Sequence, residues 1–224
     1  MIEIPDFDRV YLKQLHDDAV KMKENTSFRK IMPEECDISY MRAMHRGAHA
    51  LQSGLSNVYT RITYKMNERP TLRKGSKNYF ILYRQNGKLV QTELYSDGER
   101  YFDFYQMRYE GNRRYSIPFC SYDGVSLSES YGDIYVTVTD GDFVTEEYQI
   151  QNSLIVYERY TKVDENRVDY YCIHFFTLDD ETSDTKGLLG LYDGYITLDG
   201  ARPEFHRIGG WSLYEDHYKH KYSQ

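Results

Sequence analysis

Residues 170–176 read Tyr170-Tyr171-Cys172-Ile173-His174-Phe175-Phe176. In an extended chain successive side chains point to opposite faces, so Tyr170, Cys172, His174 and Phe176 share one side and Tyr171, Ile173 and Phe175 the other. Neither side is polar enough to face bulk water. A strand coated on both sides needs an interior on one and a cover on the other. This stretch therefore sets the expected architecture: a sheet that encloses a volume and is itself covered.

The same grammar runs through most of the chain. From Asn57 onward, short runs rich in Tyr, Val, Ile and Thr are punctuated by Asn86-Gly87, Asp97-Gly98, Glu110-Gly111-Asn112, Asp140-Gly141, Asp164-Glu165-Asn166 and Asp199-Gly200. These residues tolerate the positive φ of hairpin turns. Strands are expected near 57–66, 78–85, 88–96, 99–109, 113–119, 133–139, 143–150, 153–162, 167–178, 189–198 and 204–208. Successive hairpins make an antiparallel meander, and a long meander leaves exposed edges unless it closes on itself. The expected fold is mainly β, a closed barrel, with a β-sandwich as the alternative. In its meander and helical cover it resembles the lipocalin-like barrels.

Upstream the period changes. Phe7, Tyr11, Leu15, Ala19 and Met22 recur at three- or four-residue spacing after Pro5, which is one apolar stripe of a helix ending near Lys23. Ile38, Met41, Met44, Ala48 and Leu51 form a second stripe, with Asp37 placed as an N-cap and Gly54 as a stop. Residues 1–54 are thus expected to be a helical segment packed on a barrel of residues 55–224.

Composition narrows the class. The chain has 224 residues, 35 acidic and 28 basic side chains, a formal charge of −7 and 40% apolar residues. That excludes a uniformly basic nucleic-acid coat and a disordered polyelectrolyte. No apolar run approaches the roughly 20 residues of a membrane span, and the amino terminus lacks a basic start with an apolar stretch. No membrane association and a cytoplasmic location are expected. Cys36, Cys120 and Cys172 are odd in number and far apart, which gives neither a disulfide framework nor a zinc ribbon. The 24 tyrosines exceed what one core can use, and Tyr is an efficient interface residue.

Charge is polarised along the chain. Residues 42–77 carry eight basic side chains and one acidic, whereas residues 120–200 carry four basic and 17 acidic, net charges of +7 and −13. On the expected second helix, Arg42, His45, Arg46 and His49 fall at i, i+3, i+4 and i+7 and share one stripe. Arg61 and Lys65 follow on a strand face, then Arg69, Arg73, Lys74 and Lys77 in a loop opened by Pro70. Guanidinium forks and ammonium groups suit phosphate or carboxylate. A solvated helix face is the plainer account of the same residues. His45 and His49 also have the spacing of two metal ligands, but lack a third ligand and are flanked by arginines; no metal and no cofactor are expected.

Polar groups among apolar neighbours give further candidates. Glu158 shares a face with Val156 and Tyr160, His174 with Cys172 and Phe176, and Asp103 with Tyr105 and Tyr109. If these faces point inward, each charge is paired or its pKa shifts. No nucleophile elbow, phosphate loop, dinucleotide fingerprint or zinc-protease motif is present. The sequence leans away from an enzyme. Its reading is a non-enzymatic binding module that holds a small anionic ligand of nucleotide type between aromatic walls and a basic rim. Arg42, His45, Arg46, His49, Arg73, Lys74, Tyr105, Tyr109, Glu158 and His174 are the candidate ligand-binding residues. The first alternative is an inhibitor- or immunity-type protein that contacts a macromolecular partner through its Tyr-rich, charge-polarised surface. The second is a hydrolase built on His174 with Glu158.

Overall fold

A computed structural model of the chain describes residues 9–29, 31–42, 68–72, 74–96, 102–121, 127–128, 133–151, 154–175, 188–198 and 204–212. The first apolar stripe forms α1 (Arg9–Glu24). Its buried side is Leu12, Leu15 and Ala19, while Lys13, Asp17 and Lys21 face water. Lys21 and Lys23 in the last turn complement the negative end of the helix dipole.

The second stripe is not a helix over its first residues. Asp37–Arg42 is a strand, β1, following a 3-10 turn at Pro33–Glu35. Apolar residues three apart fit either structure, and strand pairing decides between them. Met41 is buried on one face while Ile38 and Tyr40 occupy the other, a period of two. Asp37, expected as an N-cap, instead stands opposite Arg84 in the sheet. The remainder of that stretch, including His45, Arg46 and His49, lies outside the described residues, as do the expected strand at 57–66 and Arg73.

The other strands are β2 (Glu68–Arg69), β3 (Asn78–Gln85), β4 (Lys88–Ser96), β5 (Phe102–Glu110), β6 (Arg113–Ser121), β7 (Leu127–Ser128), β8 (Ile134–Asp140), β9 (Phe143–Gln151), β10 (Leu154–Lys162), β11 (Arg167–Phe175), β12 (Leu188–Thr197) and β13 (Glu204–Ser212). The β3–β4 hairpin turns on Asn86-Gly87, both at positive φ (51° and 76°), as a two-residue primed turn requires. All strands join one antiparallel sheet in the order β13-β12-β11-β10-β9-β8-β6-β5-β4-β3-β1-β2, with β7 beside β6.

This sheet is not closed into the expected barrel. Its two terminal strands, β2 and β13, are not paired with each other. The doubly coated strands have a different explanation from enclosure. On the helix face, Leu12, Leu15 and Ala19 of α1 cover Tyr115, Ile117, Val136, Tyr148, Ile150, Tyr157 and Ile173. On the opposite face a second cluster joins Met41, Phe80, Leu82, Leu94, Tyr105, Met107 and Tyr135, and a third is built on Tyr160, Val168 and Ile196.

Polar contacts anchor the cover. The Tyr11 and Tyr157 hydroxyls both donate to Glu146 Oε2, at 2.9 and 3.1 Å, and Arg113 pairs with Asp18 at 2.9 Å. Past the helix, Phe28 packs on Phe104 and Phe119 with ring centres 5.4 and 5.3 Å away. The Arg29 backbone N–H then donates to Gln106 Oε1, and Gln106 donates in turn to Gln91. Residues 9–29 thus contact the helix face as far as β5, and Gln106 carries the polar chain on to Gln91 of β4. Among the described residues no helix is long and apolar enough to cross a membrane.

Candidate functional site

Beyond Gln91 the helix face continues over β3, β1 and β2, and its side chains follow from the register. Arg42, Tyr79 and Tyr95 stand directly opposite one another on three adjacent strands. One step along, Arg69, Tyr40 and Ile81 form a second row. Residues directly opposite have Cβ atoms about 5 Å apart, so each row sets its side chains next to one another on one face. Tyr79 and Tyr95 stack with ring centres 4.9 Å apart and planes 22° apart, and Tyr40 meets Tyr79 edge-on at 6.2 Å. Among the described residues the stack ends at Tyr95, which is 40% exposed. Burial raises the Tyr79 pKa, with the neighbouring Tyr95 and Tyr40 hydroxyls adding to the rise; its hydroxyl is neutral at physiological pH.

Arg42 and Arg69 flank these rings and are exposed. Among the described residues no carboxylate pairs with either. Nearby acids are engaged elsewhere: Glu68 pairs with Arg84 and accepts from Ser39 on the opposite face, and Glu93 accepts from Gln91 at 3.0 Å and from Tyr83. Lys74 is exposed in the turn that leads to β3. Chemically the flank combines flat apolar rings with uncompensated guanidinium charge, which suits a flat-ringed anion.

The other sequence candidates do not converge here. Tyr105 is buried in the opposite-face cluster. Tyr109 lies on that same face, with its hydroxyl donating to the Leu89 carbonyl at 2.8 Å and the Lys88 ammonium 5.3 Å from its ring. Glu158 and His174 also share the opposite face, as the alternation implies, since they pair with Cys172 and Val156. Seven strand steps separate β10 from β1, about 34 Å along the sheet, so Arg42 and Glu158 serve no common site.

Glu158 accepts from the Tyr160 hydroxyl and, at 3.3 Å, from that of Tyr170. His174 meets the Tyr192 ring edge-on at 5.6 Å, and burial lowers its pKa. Cys172 between them is buried, and desolvation pushes its thiol up, away from the reactive thiolate. Glu147 stands opposite Glu158 across the β9–β10 pair. Both line a pocket of about 30 Å³ with Tyr135, Gln149 and Val156, room for about one water. A larger surface hollow of about 430 Å³ is lined by Glu34, Glu35, Cys36, Asp37, Arg84, Gln85 and Asn86, and its carboxylates disfavour an anion.

Arg42 and Arg69 lie on strands where a helix and a loop are expected, Lys74 lies in a turn as expected, and Tyr40, Tyr79 and Tyr95 are not among the candidates the sequence offers. The signal for the last two was available: counting back from the Asn86-Gly87 turn puts Tyr79 near Tyr95, though the offset at Tyr83/Arg84 shifts that count by one. Among the described residues no group of three or more His, Cys, Asp or Glu side chains is arranged to hold a metal ion. Comparison of the chain with protein-family models, curated proteins and solved structures finds no match.

Proposed function

We propose that this chain is a non-enzymatic binding module for an anionic, ring-bearing ligand, and that the ligand lies on the open flank of the helix face, not inside a barrel. One observation carries the reading: Arg42 stands in a single cross-strand row with the stacked rings of Tyr79 and Tyr95, and Arg69 stands beside Tyr40 in the next. A stacked ring gains from the exposed end of the tyrosine stack, and an attached phosphate gains from an unneutralised guanidinium. The chain's net charge of −7 limits such binding to a local surface.

Titration of the full chain with ATP and with inorganic triphosphate, followed by intrinsic tyrosine fluorescence, tests this. ATP is expected to bind more tightly than triphosphate, and R42Q/R69Q to weaken both without changing the thermal midpoint. Binding that is indifferent to Arg42 and Arg69, or no binding of either compound, contradicts the reading.

A second reading, contact with a macromolecule through the same surface, is favoured by the flank's lack of walls among the described residues. A flat, Tyr-rich face with Arg at its margin is the usual make-up of such a surface. Retention of a partner from host lysate by the wild-type chain and not by R42Q/R69Q, in the absence of ATP binding, would favour it.

A further inference from the structure

Resting on the proposed ligand site, the geometry points to a more specific ligand: we infer that the open flank binds single-stranded nucleic acid, at least two nucleotides at a time. Three features lead there.

The first is extent. Tyr95 is on β4 and Arg69 on β2, three strand steps away and two residues along, which is about 16 Å at ordinary strand spacing. A base stacked on the outer face of Tyr95 has Tyr95 and Tyr79 between it and Arg42, two strand spacings or about 10 Å away, so one nucleoside monophosphate does not span the row. A second nucleotide unit carries a phosphate on to Arg42 and toward Arg69.

The second is the pairing of ring and charge. Each row holds one guanidinium and at least one ring, Arg42 with Tyr79 and Tyr95, Arg69 with Tyr40. That repeats the composition of a nucleotide strand, which offers one phosphate and one flat base per unit. Ring stacking on successive bases with cationic tracking of the backbone is how single strands are held without sequence readout.

The third is electrostatic and topographic. Among the described residues neither arginine has a carboxylate partner, and none forms a wall at either end of the rows. The paired bases of a duplex cannot stack on Tyr95. The exposed ring therefore selects single strands over duplex, and the two cations select a polyanion over a neutral aromatic compound.

Anisotropy titration of the full chain with a fluorescein-labelled 15-mer of deoxythymidine tests the inference, with ATP and a labelled duplex as the other arms. The single strand is expected to bind at least about tenfold more tightly than ATP and than the duplex. Tyr95→Ala is expected to weaken it by about 5- to 150-fold, the range for loss of one base stack, while Tyr95→Phe retains affinity. R42Q/R69Q is expected to reduce the slope of log affinity against log salt by about 1.4, the share of two phosphate contacts. If ATP binds and depends on Arg42 but the 15-mer binds no more tightly, the single-strand inference fails and the ligand site stands. Equal affinity for duplex, or a 15-mer affinity unchanged by Tyr95→Ala, also overturns it. If neither compound binds, both readings fall together.

Discussion

The helix face has two flanks, one on each side of α1, that nothing among the described residues covers, and both carry rings and cations. On β11–β13 the ladder is Arg167 over Tyr195 at 4.6 Å, with Tyr195 stacked on His206 at 4.5 Å and 15°. Its charges are answered internally: Arg167 pairs with Asp169 at 2.9 Å, and His206 lies 4.0 Å from Glu204 and 3.1 Å from the Thr197 hydroxyl. On β1–β4 the rings of Tyr40, Tyr79 and Tyr95 are bordered by Arg42 and Arg69, which have no such partners among the described residues. The same side-chain types therefore serve different ends. A ladder whose cations are neutralised within it consolidates an edge, whereas one that leaves them open has charge to offer a ligand.

Between the flanks, α1 holds the helix face shut, and its removal should have the largest effect. Leu15 is fully buried against the sheet, so Leu15→Ala is expected to lower stability by about 2–5 kcal/mol. Urea unfolding checks this, and ligand affinity at the open flank should not change while the chain remains folded. A joint loss of stability and affinity would mean that the flank is an extension of the helix-covered core.

The far flank should break through its backbone sooner than through its charges. A Cβ on Gly194 would lie 2.2 Å from the His206 carbonyl oxygen, because β13 closes tightly on β12 beside the register shift. Gly194→Ala is expected to cost about 1–3 kcal/mol, as in other overpacked positions. It should spread the Tyr195–His206 stack and leave the open flank intact, as ring chemical shifts in NMR spectra would show.

Alkaline pH probes the cover. Desolvation and hydrogen bonding to Glu146 raise the Tyr11 pKa to about 12, and desolvation raises that of Tyr171 to about 12, from an ordinary value of 10. With the folded values above the unfolded one, the contribution is complete below pH 10 and declines as pH rises from 10 toward 12. Urea midpoints should fall across that window, and less steeply in Tyr11→Phe.

The smallest effect is expected from Arg167→Ala, which removes an exposed cation–π contact and an exposed ion pair, each worth at most about 1 kcal/mol. Ligand affinity should be unaffected, in contrast to Arg42→Ala. Equal losses in the two variants would erase the distinction between the flanks.

These contrasts also show what the sequence could and could not reveal. The hairpins at Asn86-Gly87, Gly111 and Gly141 were legible because these turn residues act locally, whereas Asp97-Gly98 and Asp199-Gly200 lie outside the described residues; period-two alternation also divided Tyr170, Cys172 and His174 from Tyr171 and Ile173. The stripe of α1 was legible for the same reason. Closure was not, because strands coated on both faces are satisfied by any arrangement that buries each face, as the clusters on the two faces of this sheet do without a closed barrel. Whether β13 meets β2 is a global property that no short window contains. Residues 37–42 were misread because Ile38 and Met41 fit a helical spacing, and only the distant β3 converts them to a strand. The open flank was half legible: its arginines stood out as charge, while Tyr79 and Tyr95 became neighbours through pairing and resembled any other tyrosines beforehand.

The central claim is that Arg42, Arg69 and the Tyr40–Tyr79–Tyr95 cluster form the working surface of the molecule. Amide and ring chemical shifts of the isotopically labelled chain, recorded during titration with ATP, test it most directly. The account predicts that perturbations concentrate at residues 40, 42, 69, 79 and 95 and are negligible at 167, 195 and 206. Saturable shifts at the β11–β13 flank or beside Glu147 and Glu158, with residues 40–42 and 79–95 silent, would contradict it.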